Sequence, residues 1–194
     1  LDLSKRFEVV GETWIEADRT MIEILGGETL SEFVLRENLS EEDARIAEEK
    51  LKQTEYTQPA MLTADLALYR LLLEHGIEPD MVAGHSLGEY AALMVAGILK
   101  FHDALRAAAA RGTEMGNVDV PDQGIMASVT APIERVEEVI NSIDGYVIAA
   151  NKNSPLMTVI AGDTESMNEA IRRFAELNIQ CVKLQTSHAF HSKI

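Results

Sequence analysis

Apolar residues recur three or four positions apart near the N-terminus, which is the spacing of a helix that buries one face. These residues are Phe7, Val10, Trp14, Ala17 and Met21. A second helix is predicted to begin after Ser40, whose hydroxyl can cap the acidic turn at residues 41–43. Both helices are interpreted as packing elements, because neither shows a pattern of reactive side chains.

The middle of the chain predicts a helix, a loop, a strand and a second helix in succession. The helix signal begins at residues 57–59, with Pro59 placed in the first helical turn. Residues 60–74 are rich in leucine and alanine, and Gly76 is placed as the C-terminal stop. The short apolar run at residues 81–83 predicts a buried parallel strand. Small apolar residues at 91–96 predict the next helix, so a sharp turn must join the two.

From Gly124 onward, short strands and helices are predicted to alternate. The strands are at residues 125–129, 146–150, 158–161 and 180–184, and the helices are at 132–143 and 165–177. The order β-α-β-β-α-β is the ferredoxin-like arrangement. We therefore expect a subdomain at residues 121–185, with crossings to the rest of the chain at 121–124 and 185–187.

Composition excludes several classes of protein. Hydrophobic residues make up 46% and charged residues 25% of the chain, which is the balance of a soluble globular protein. No run reaches the roughly 18 uninterrupted apolar residues that a membrane span needs. The 17 basic and 32 acidic residues give a net charge of -15, which opposes binding to nucleic-acid phosphates. We expect neither nucleic acid nor membrane as a partner.

The cysteine content and the first residues indicate a cytoplasmic location. Cys181 is the single cysteine, so no intrachain disulfide can form, and its apolar neighbours suggest a buried filler. Residues 1–7 include charged side chains and lack the apolar core of an export signal.

Gly84, Ser86 and Gly88 form a Gly-x-Ser-x-Gly turn between the predicted strand and helix, the context of a nucleophile elbow. A serine hydroxyl is a weak nucleophile, so it must be exposed and paired with a base. Glycines at both ends avoid Cβ atoms that would block a tight turn and close helix packing. The backbone N–H of Leu87 can point at a developing oxyanion. A chance match in an ordinary loop fits this position less well.

The base is expected to be one of the five histidines. His75 and His102 fit a helix cap and a polar turn, and His85 adjoins the serine on a turn where neighbouring side chains point apart. Either His188 or His191 can return from the subdomain to face the serine. Spacing along the chain does not choose between these two.

Three motifs in order resemble the acyltransferase domains of polyketide and fatty acid synthases and the free-standing malonyl-CoA:acyl-carrier-protein transacylases. They are Thr57-Gln58-Pro59-Ala60, Gly84-His85-Ser86-Leu87-Gly88-Glu89-Tyr90 and His188-Ala189-Phe190-His191-Ser192. The resemblance covers nearly all of residues 57–194. It implies an α/β-hydrolase-like body of residues 1–120 and 186–194, with the ferredoxin-like subdomain of residues 121–185 inserted.

The resemblance implies a role for several residues by position. Ser86 matches the acylated nucleophile and His191 the general base, which settles the choice that spacing left open. Arg111 matches the arginine that pairs with the free carboxylate of malonate, because a guanidinium fork holds a carboxylate through two parallel hydrogen bonds. Gln58 matches a glutamine that lines the substrate pocket.

Two further positions bear on the acyl group. Phe190, after His188 in the third motif, and the aliphatic Leu87 both match relatives that use malonyl rather than methylmalonyl groups. An aromatic ring can occupy the space that an extra methyl would need, although such discrimination is limited to roughly 1 to 3 kcal/mol. His188 is placed with the substrate-binding residues.

The resemblance also implies the substrates and partners. Malonyl-CoA is the expected donor and the phosphopantetheine thiol of an acyl carrier protein the acceptor, with neighbouring synthase domains as further partners and no bound cofactor or metal. Because the chain is strongly acidic, docking of coenzyme A or an acidic carrier requires a local basic patch. Its candidate members are Arg106, Arg172, Arg173 and Lys183.

The sequence departs from the family in places that leave alternatives open. Relatives open with a Gly-Gln-Gly-Ser-Gln turn that supplies a second oxyanion N–H, and they continue well beyond the position of Ile194, so we expect a chain truncated at both ends. Met157 stands where relatives often have a polar residue. The alternatives are a serine esterase or thioesterase on a related scaffold, and an inactive docking module of a synthase.

Overall fold

The computed structural model of the chain describes residues 2–37, 39–186 and 188–194. The chain divides into two compact units, Leu1–Val118 and Asp119–Ile194. Among the described residues, the first unit contains helices and no strand, and the second combines a small antiparallel sheet with two helices. The chain is therefore a mixed α/β protein.

The first unit is built around one long central helix, α5. Its elements are α1 (Asp2–Arg6), α2 (Glu8–Met21), α3 (Leu30–Val34), α4 (Glu41–Lys52), α5 (Thr54–Glu74), α6 (Gly88–Val95) and α7 (Phe101–Gly116). The predicted apolar face of α2 is confirmed, since Val10, Trp14 and Ala17 are buried against the core. The Ser40 cap is also confirmed, because its hydroxyl accepts the Asp43 N–H at 3.1 Å.

The central helix begins earlier than the sequence predicts. It starts at Thr54, so Pro59 lies inside the helix and its placement in the first turn is wrong. The Thr54 hydroxyl donates a hydrogen bond of 2.6 Å to the Gly112 carbonyl of α7. This tertiary contact holds the turn before Pro59 in the helix, although Pro59 has no backbone N–H to donate. The predicted stop at Gly76 is confirmed, with φ of +75° just beyond the last turn.

The predicted strand at residues 81–83 is absent. These residues are irregular and exposed, and Met81 keeps 87% of its surface accessible. A strand needs a neighbour to satisfy its ladder of hydrogen bonds, and every strand in the described part of the chain pairs within the second unit. An apolar run alone cannot supply that neighbour, so this prediction is wrong.

The second unit follows the predicted order of elements. These are β1 (Ile125–Val129), α8 (Ile133–Ile140), β2 (Val147–Ser154), β3 (Met157–Gly162), α9 (Thr164–Glu176) and β4 (Cys181–Lys183). The sheet has the order β2-β3-β1-β4, and all its neighbouring strands are antiparallel. Each of the six predicted elements is confirmed, with ends that differ by a few residues.

Different parts of the chain pack against the two faces of this sheet. Alternate residues of β1, among them Ala127 and Val129, pack under α8 and α9 with Phe174 at the centre of the cluster. Met126 points to the other face, where it packs against the fully buried Ala189. The segment after β4 therefore lies on the second unit's sheet.

The predicted division into residues 1–120 with 186–194 and residues 121–185 stays a prediction. Ser187, in the predicted crossing at 185–187, lies outside the described residues.

Candidate active site

The Gly-x-Ser-x-Gly segment makes the predicted sharp turn. Ser86 has a φ of +55°, a left-handed backbone conformation that is uncommon for a residue with a side chain. A Cβ atom at Gly84 would lie 2.1 Å from the Gly88 carbonyl oxygen, so only glycine fits there. A Cβ at Gly88 would meet no atom of the described residues within 4 Å. The steric role predicted for the first glycine is confirmed, and the one predicted for the second is wrong.

Helix α6 begins directly after this turn. The carbonyls of His85 and Ser86 accept the N–H groups of Gly88 and Glu89 at 3.0 and 3.1 Å. Among the described residues, no carbonyl accepts the N–H of Leu87. This donor lies at the positive end of the helix dipole, where a developing negative charge is stabilised.

Arg111 and Gln58 are hydrogen-bonded to each other across two helices. Arg111 Nη1 on α7 donates to Gln58 Oε1 on α5 at 2.6 Å. Gln58 is only 5% exposed, and its amide nitrogen lies 3.4 Å from the Met115 sulfur. Within the described residues, Arg111 is partly buried and makes no ion pair with a carboxylate. A neutral amide thus orients the guanidinium and leaves its charge uncompensated.

Gly112 lets the two helices approach closely enough for this bond. A Cβ atom at Gly112 would lie 2.4 Å from the Thr54 carbonyl oxygen, which is a backbone atom that cannot swing away. Gly116, one turn later, would place its Cβ 3.4 Å from the Thr54 hydroxyl, close to ordinary contact. Since α6 also packs against α5 and α7, the serine turn and the Arg111–Gln58 pair belong to one helical unit.

The third motif forms a loop in the second unit. His188 is 6% exposed, and its ring centroid lies 6.0 Å from that of Phe190. Ala189 between them is fully buried, and its N–H donates to the Gln123 carbonyl at 2.8 Å. His191 is exposed and has a φ of +57°, so it shares the left-handed conformation of Ser86.

The remaining histidines and the cysteine have other surroundings. His75 Nδ1 lies 2.8 Å from the Leu71 carbonyl at the end of α5, as its predicted cap position suggests. The predicted turn position of His102 is wrong, because this residue lies in the first turn of α7, where its ring is 3.3 Å from the Asp103 carboxylate. Burial raises the pKa of the half-buried Cys181 thiol to about 11. That thiol is protonated at neutral pH, so it is a poor nucleophile.

The predicted basic docking residues differ in their pairing. Arg172 is paired with Glu169 and Glu176, and Arg173 is paired with Glu169 at 2.7 Å. These carboxylates neutralise the two arginines. Arg106 and Lys183 are exposed and have no ion pair within the described residues, so they remain as candidate docking cations.

Comparison with known proteins identifies the family. The family model described as the acyl transferase domain matches residues 1–194. The chain belongs to this family. Over 196 residues, this acyl transferase domain is 36% identical to the polyketide synthase GfsA of Streptomyces halstedii, covering all of this chain and 2% of the synthase. The predicted resemblance is therefore confirmed.

Two malonyl transferases are similar over shorter or comparable spans. The malonyl CoA-acyl carrier protein transacylase of Escherichia coli O157:H7 is 43% identical over 128 residues, which are 63% of this chain and 41% of that protein. The solved acyl-carrier-protein S-malonyltransferase of Burkholderia pseudomallei is 33% identical, with a TM-score of 0.84 over 99% of this chain and 60% of the other. The acyl transferase domain described here thus spans only part of each relative.

The structure brings some of the predicted site residues of this acyl transferase domain together. Gln58 is hydrogen-bonded to Arg111, and the ring of His188 packs near that of Phe190. Ser86 belongs to the first unit and His191 to the second, so the contact expected between them stays a prediction. Sequence reasoning missed the packing role of Gly112, although a glycine inside an alanine-rich helix is a signal of close backbone approach.

The described residues include neither a membrane-spanning helix nor a cluster of metal ligands. None of their helices is both long and apolar enough to cross a membrane. Residues 2–37, 39–186 and 188–194 also contain no group of three His, Cys, Asp or Glu side chains that could hold a metal ion.

Proposed function

We propose that this acyl transferase domain moves a malonyl group from coenzyme A to the phosphopantetheine thiol of an acyl carrier protein. The observation that supports this best is the environment of Arg111. Its partly buried guanidinium is oriented by the neutral Gln58 amide and is not neutralised by any carboxylate of the described residues. The free carboxylate of a malonyl group supplies the missing charge, and an acetyl group does not.

The first half of the reaction forms an ester on Ser86. His191 accepts the hydroxyl proton while the serine oxygen attacks the malonyl thioester carbon. The Leu87 N–H donates to the oxyanion of the tetrahedral intermediate. The carbon–sulfur bond then breaks, and the coenzyme A thiolate leaves with the proton that His191 returns.

The second half repeats these steps with a different thiol. The phosphopantetheine thiol of the carrier gives its proton to His191 and attacks the malonyl ester. The ester carbon–oxygen bond breaks, and the serine hydroxyl regains the proton from the imidazole. Two substrates thus use one site in turn, which is ping-pong kinetics. No bound cofactor or metal takes part.

The exposure of the two candidate bases supports His191. His188 is nearly enclosed by its own unit, whereas His191 is accessible to a group outside it. A general base must reach the proton it accepts within a hydrogen bond or through one water molecule. We assign His188 with Phe190 to the wall of the acyl pocket, where Phe190 and Leu87 favour malonyl over methylmalonyl.

The architecture proposed for the whole domain has two parts. Residues 1–120 and 186–194 contribute to an α/β-hydrolase-like body, and residues 121–185 form a ferredoxin-like subdomain. The antiparallel sheet order β2-β3-β1-β4 supports the second assignment. An acyl carrier protein and neighbouring synthase domains are the proposed partners, in the cytoplasm.

Incubation with labelled malonyl-CoA, followed by mass analysis of the Ser86 peptide, tests the proposal. The unsubstituted protein should gain one malonyl group on Ser86, and Ser86→Ala should gain none. Ser154→Ala, in an exposed hairpin of the second unit, is the matched control and should load normally. A protein that takes up no malonyl group at this serine would leave the docking-module alternative.

The fate of the ester separates transfer from hydrolysis. A carrier thiol should remove the malonyl group much faster than water does. If water releases it as fast as the carrier, the domain is a thioesterase and not a transferase.

A further inference from the structure

The loop that holds His191 is fastened to the second unit through Tyr146. The backbone N–H of Lys193 donates a hydrogen bond of 2.9 Å to the phenol oxygen of Tyr146. The Lys193 ammonium also lies 4.0 Å from the centroid of the same ring, which is a cation–π contact. One tyrosine side chain therefore holds both the backbone and the side chain of a residue close to His191.

Tyr146 is itself fixed by its backbone. Its N–H donates to Asp163 Oδ2 at 2.9 Å, and its carbonyl accepts the Asp163 N–H at 3.0 Å. Gly145 precedes it with a φ of +129°, and a Cβ there would lie 2.0 Å from the Ser166 hydroxyl oxygen. The phenol is thus anchored to the start of α9 before it contacts the loop.

The same loop is closed on its other side by two hydrogen bonds. The Ser192 hydroxyl donates to the Ala189 carbonyl at 2.5 Å, and the Ile194 N–H donates to the Ser192 hydroxyl oxygen at 3.1 Å. Gly124 makes room for this packing, since a Cβ at that position would lie 2.7 Å from the Ala189 Cβ. These contacts surround His191 in the sequence.

His191 needs such support because of its backbone. A φ of +57° is unfavourable for a residue with a Cβ atom and persists where neighbouring contacts hold it. The tyrosine bond to Lys193 fixes the chain on the C-terminal side of His191. The buried Ala189 fixes it on the N-terminal side.

We propose that Tyr146 is a positioning residue for His191, acting through its hydrogen bond to the Lys193 backbone. The inference rests on the proposed function, in which His191 is the general base. The sheet of the second unit and α9 then set the orientation of the imidazole. Loss of the phenol oxygen should weaken proton transfer and leave substrate binding intact.

Tyr146→Phe tests this proposal because it keeps the ring under Lys193 and removes only the acceptor oxygen. The rate of Ser86 malonylation at saturating malonyl-CoA should fall about five- to tenfold, which is the loss expected when one hydrogen bond that positions the base is removed. KM should stay within twofold of its original value. Hydrogen exchange in the peptide containing His191 should become faster. Tyr69→Phe removes a phenol oxygen from α5 and serves as the matched control, with an unchanged rate.

A double substitution shows whether Tyr146 acts through His191. Adding Tyr146→Phe to His191→Ala should cause no further loss of the residual rate, because the group it positions is already gone. An equal loss in both backgrounds would overturn the proposal, and so would an unchanged rate in the single variant. A fall in melting temperature that accounts for the whole loss of rate would also overturn it.

Failure of the proposed function gives a different result. In that case the unsubstituted protein would not acquire a malonyl group at Ser86 at all.

Discussion

Gln58 Oε1 accepts a hydrogen bond of 2.6 Å from Arg111 Nη1, and this bond links the start of α5 to the middle of α7. The glutamine is nearly buried, so the orientation it gives to the guanidinium is well defined. An amide oxygen accepts a hydrogen bond without adding a negative charge. The charge of Arg111 is therefore held in place and stays available to an anion.

Gln58→Glu should reduce loading with malonyl-CoA. A carboxylate at this position forms an internal ion pair with Arg111 and competes with the malonyl carboxylate. We expect kcat/KM for Ser86 malonylation to fall about 30-fold, the equivalent of about 2 kcal/mol. Single-turnover loading of Ser86 measures this. Gln185→Glu, an exposed loop change in the second unit, is the control; equal effects of both variants would contradict the prediction.

Arg111→Ala should change which acyl group is accepted. Removal of the guanidinium eliminates the charged partner of malonyl and the polar group that disfavours acetyl. Malonyl loading should fall by about two orders of magnitude, while acetyl loading rises, since a charged hydrogen-bonded pair is lost. Competition between labelled malonyl-CoA and acetyl-CoA reports the ratio. Arg106→Ala lies on the exposed face of the same helix and should leave the ratio unchanged.

Gly112→Ala should loosen the contact between α5 and α7. The added Cβ meets the Thr54 carbonyl oxygen at 2.4 Å, so the helices must separate, at a cost of about 1 to 3 kcal/mol of unfolding free energy. The Arg111–Gln58 bond should lengthen, and malonyl selectivity should decrease. Thermal unfolding and acyl competition measure the two effects.

Gly116→Ala is the matched change on the same helix. Its Cβ comes only to 3.4 Å from a side-chain hydroxyl, so stability should stay the same or increase. Equal destabilisation by both substitutions would show that close approach at Gly112 is not the cause.

Phe190→Ser should admit a larger acyl group. If the ring occupies the space of the methylmalonyl methyl, its removal should improve methylmalonyl loading about tenfold relative to malonyl. Loading of Ser86 from each coenzyme A ester gives the ratio. Phe174→Leu, a conservative change beneath the sheet of the second unit, should not alter it. No gain for methylmalonyl would mean that the ring does not set the pocket size.

Acid should destabilise the second unit through Asp122. Hydrogen bonds from the Thr164 hydroxyl and N–H, and from the Gly124 N–H, lower the pKa of Asp122 below its ordinary value. Bonds that favour the carboxylate stabilise the fold above about pH 4, the ordinary aspartate pKa, and this contribution is lost as the pH falls below it.

Melting temperatures between pH 3 and 7 give the test for Asp122. Asp122→Asn should lower the melting temperature at pH 7 and weaken its dependence on pH toward the acid end. The exposed Asp119→Asn should retain the unsubstituted profile. Parallel curves for the unsubstituted protein and Asp122→Asn would exclude this carboxylate as a cause.

The second unit could be predicted from the sequence because its elements are short and pair with one another. Residues 125–129 alternate between two covered faces, and the hairpin of β2 and β3 brings partners together locally. The run at residues 81–83 has the same apolar character without a partner strand, so its composition predicted a strand that is absent. Pairing is a property of two segments, and a single run does not report it.

The candidate site could be predicted as far as its motifs extend. The turn at Ser86 requires Gly84, and that requirement is visible in the sequence. The bond between Gln58 and Arg111 is not visible in the sequence. It depends on the early start of α5 and on the missing Cβ of Gly112. Likewise, Tyr146 and Lys193 are far apart in the chain and carry no joint motif.

Ser86 and His191 share a left-handed backbone conformation that suits glycine better than any other residue. Asn178 also adopts this conformation, which asparagine tolerates. A glycine at either of the first two positions would relax the backbone and abolish the proposed chemistry. Stability and activity thus favour different residues at these two positions, and the reactive side chains are kept at a cost in stability. Random change at these positions is opposed by catalysis alone, so a lineage that no longer needed the reaction would be free to lose them first.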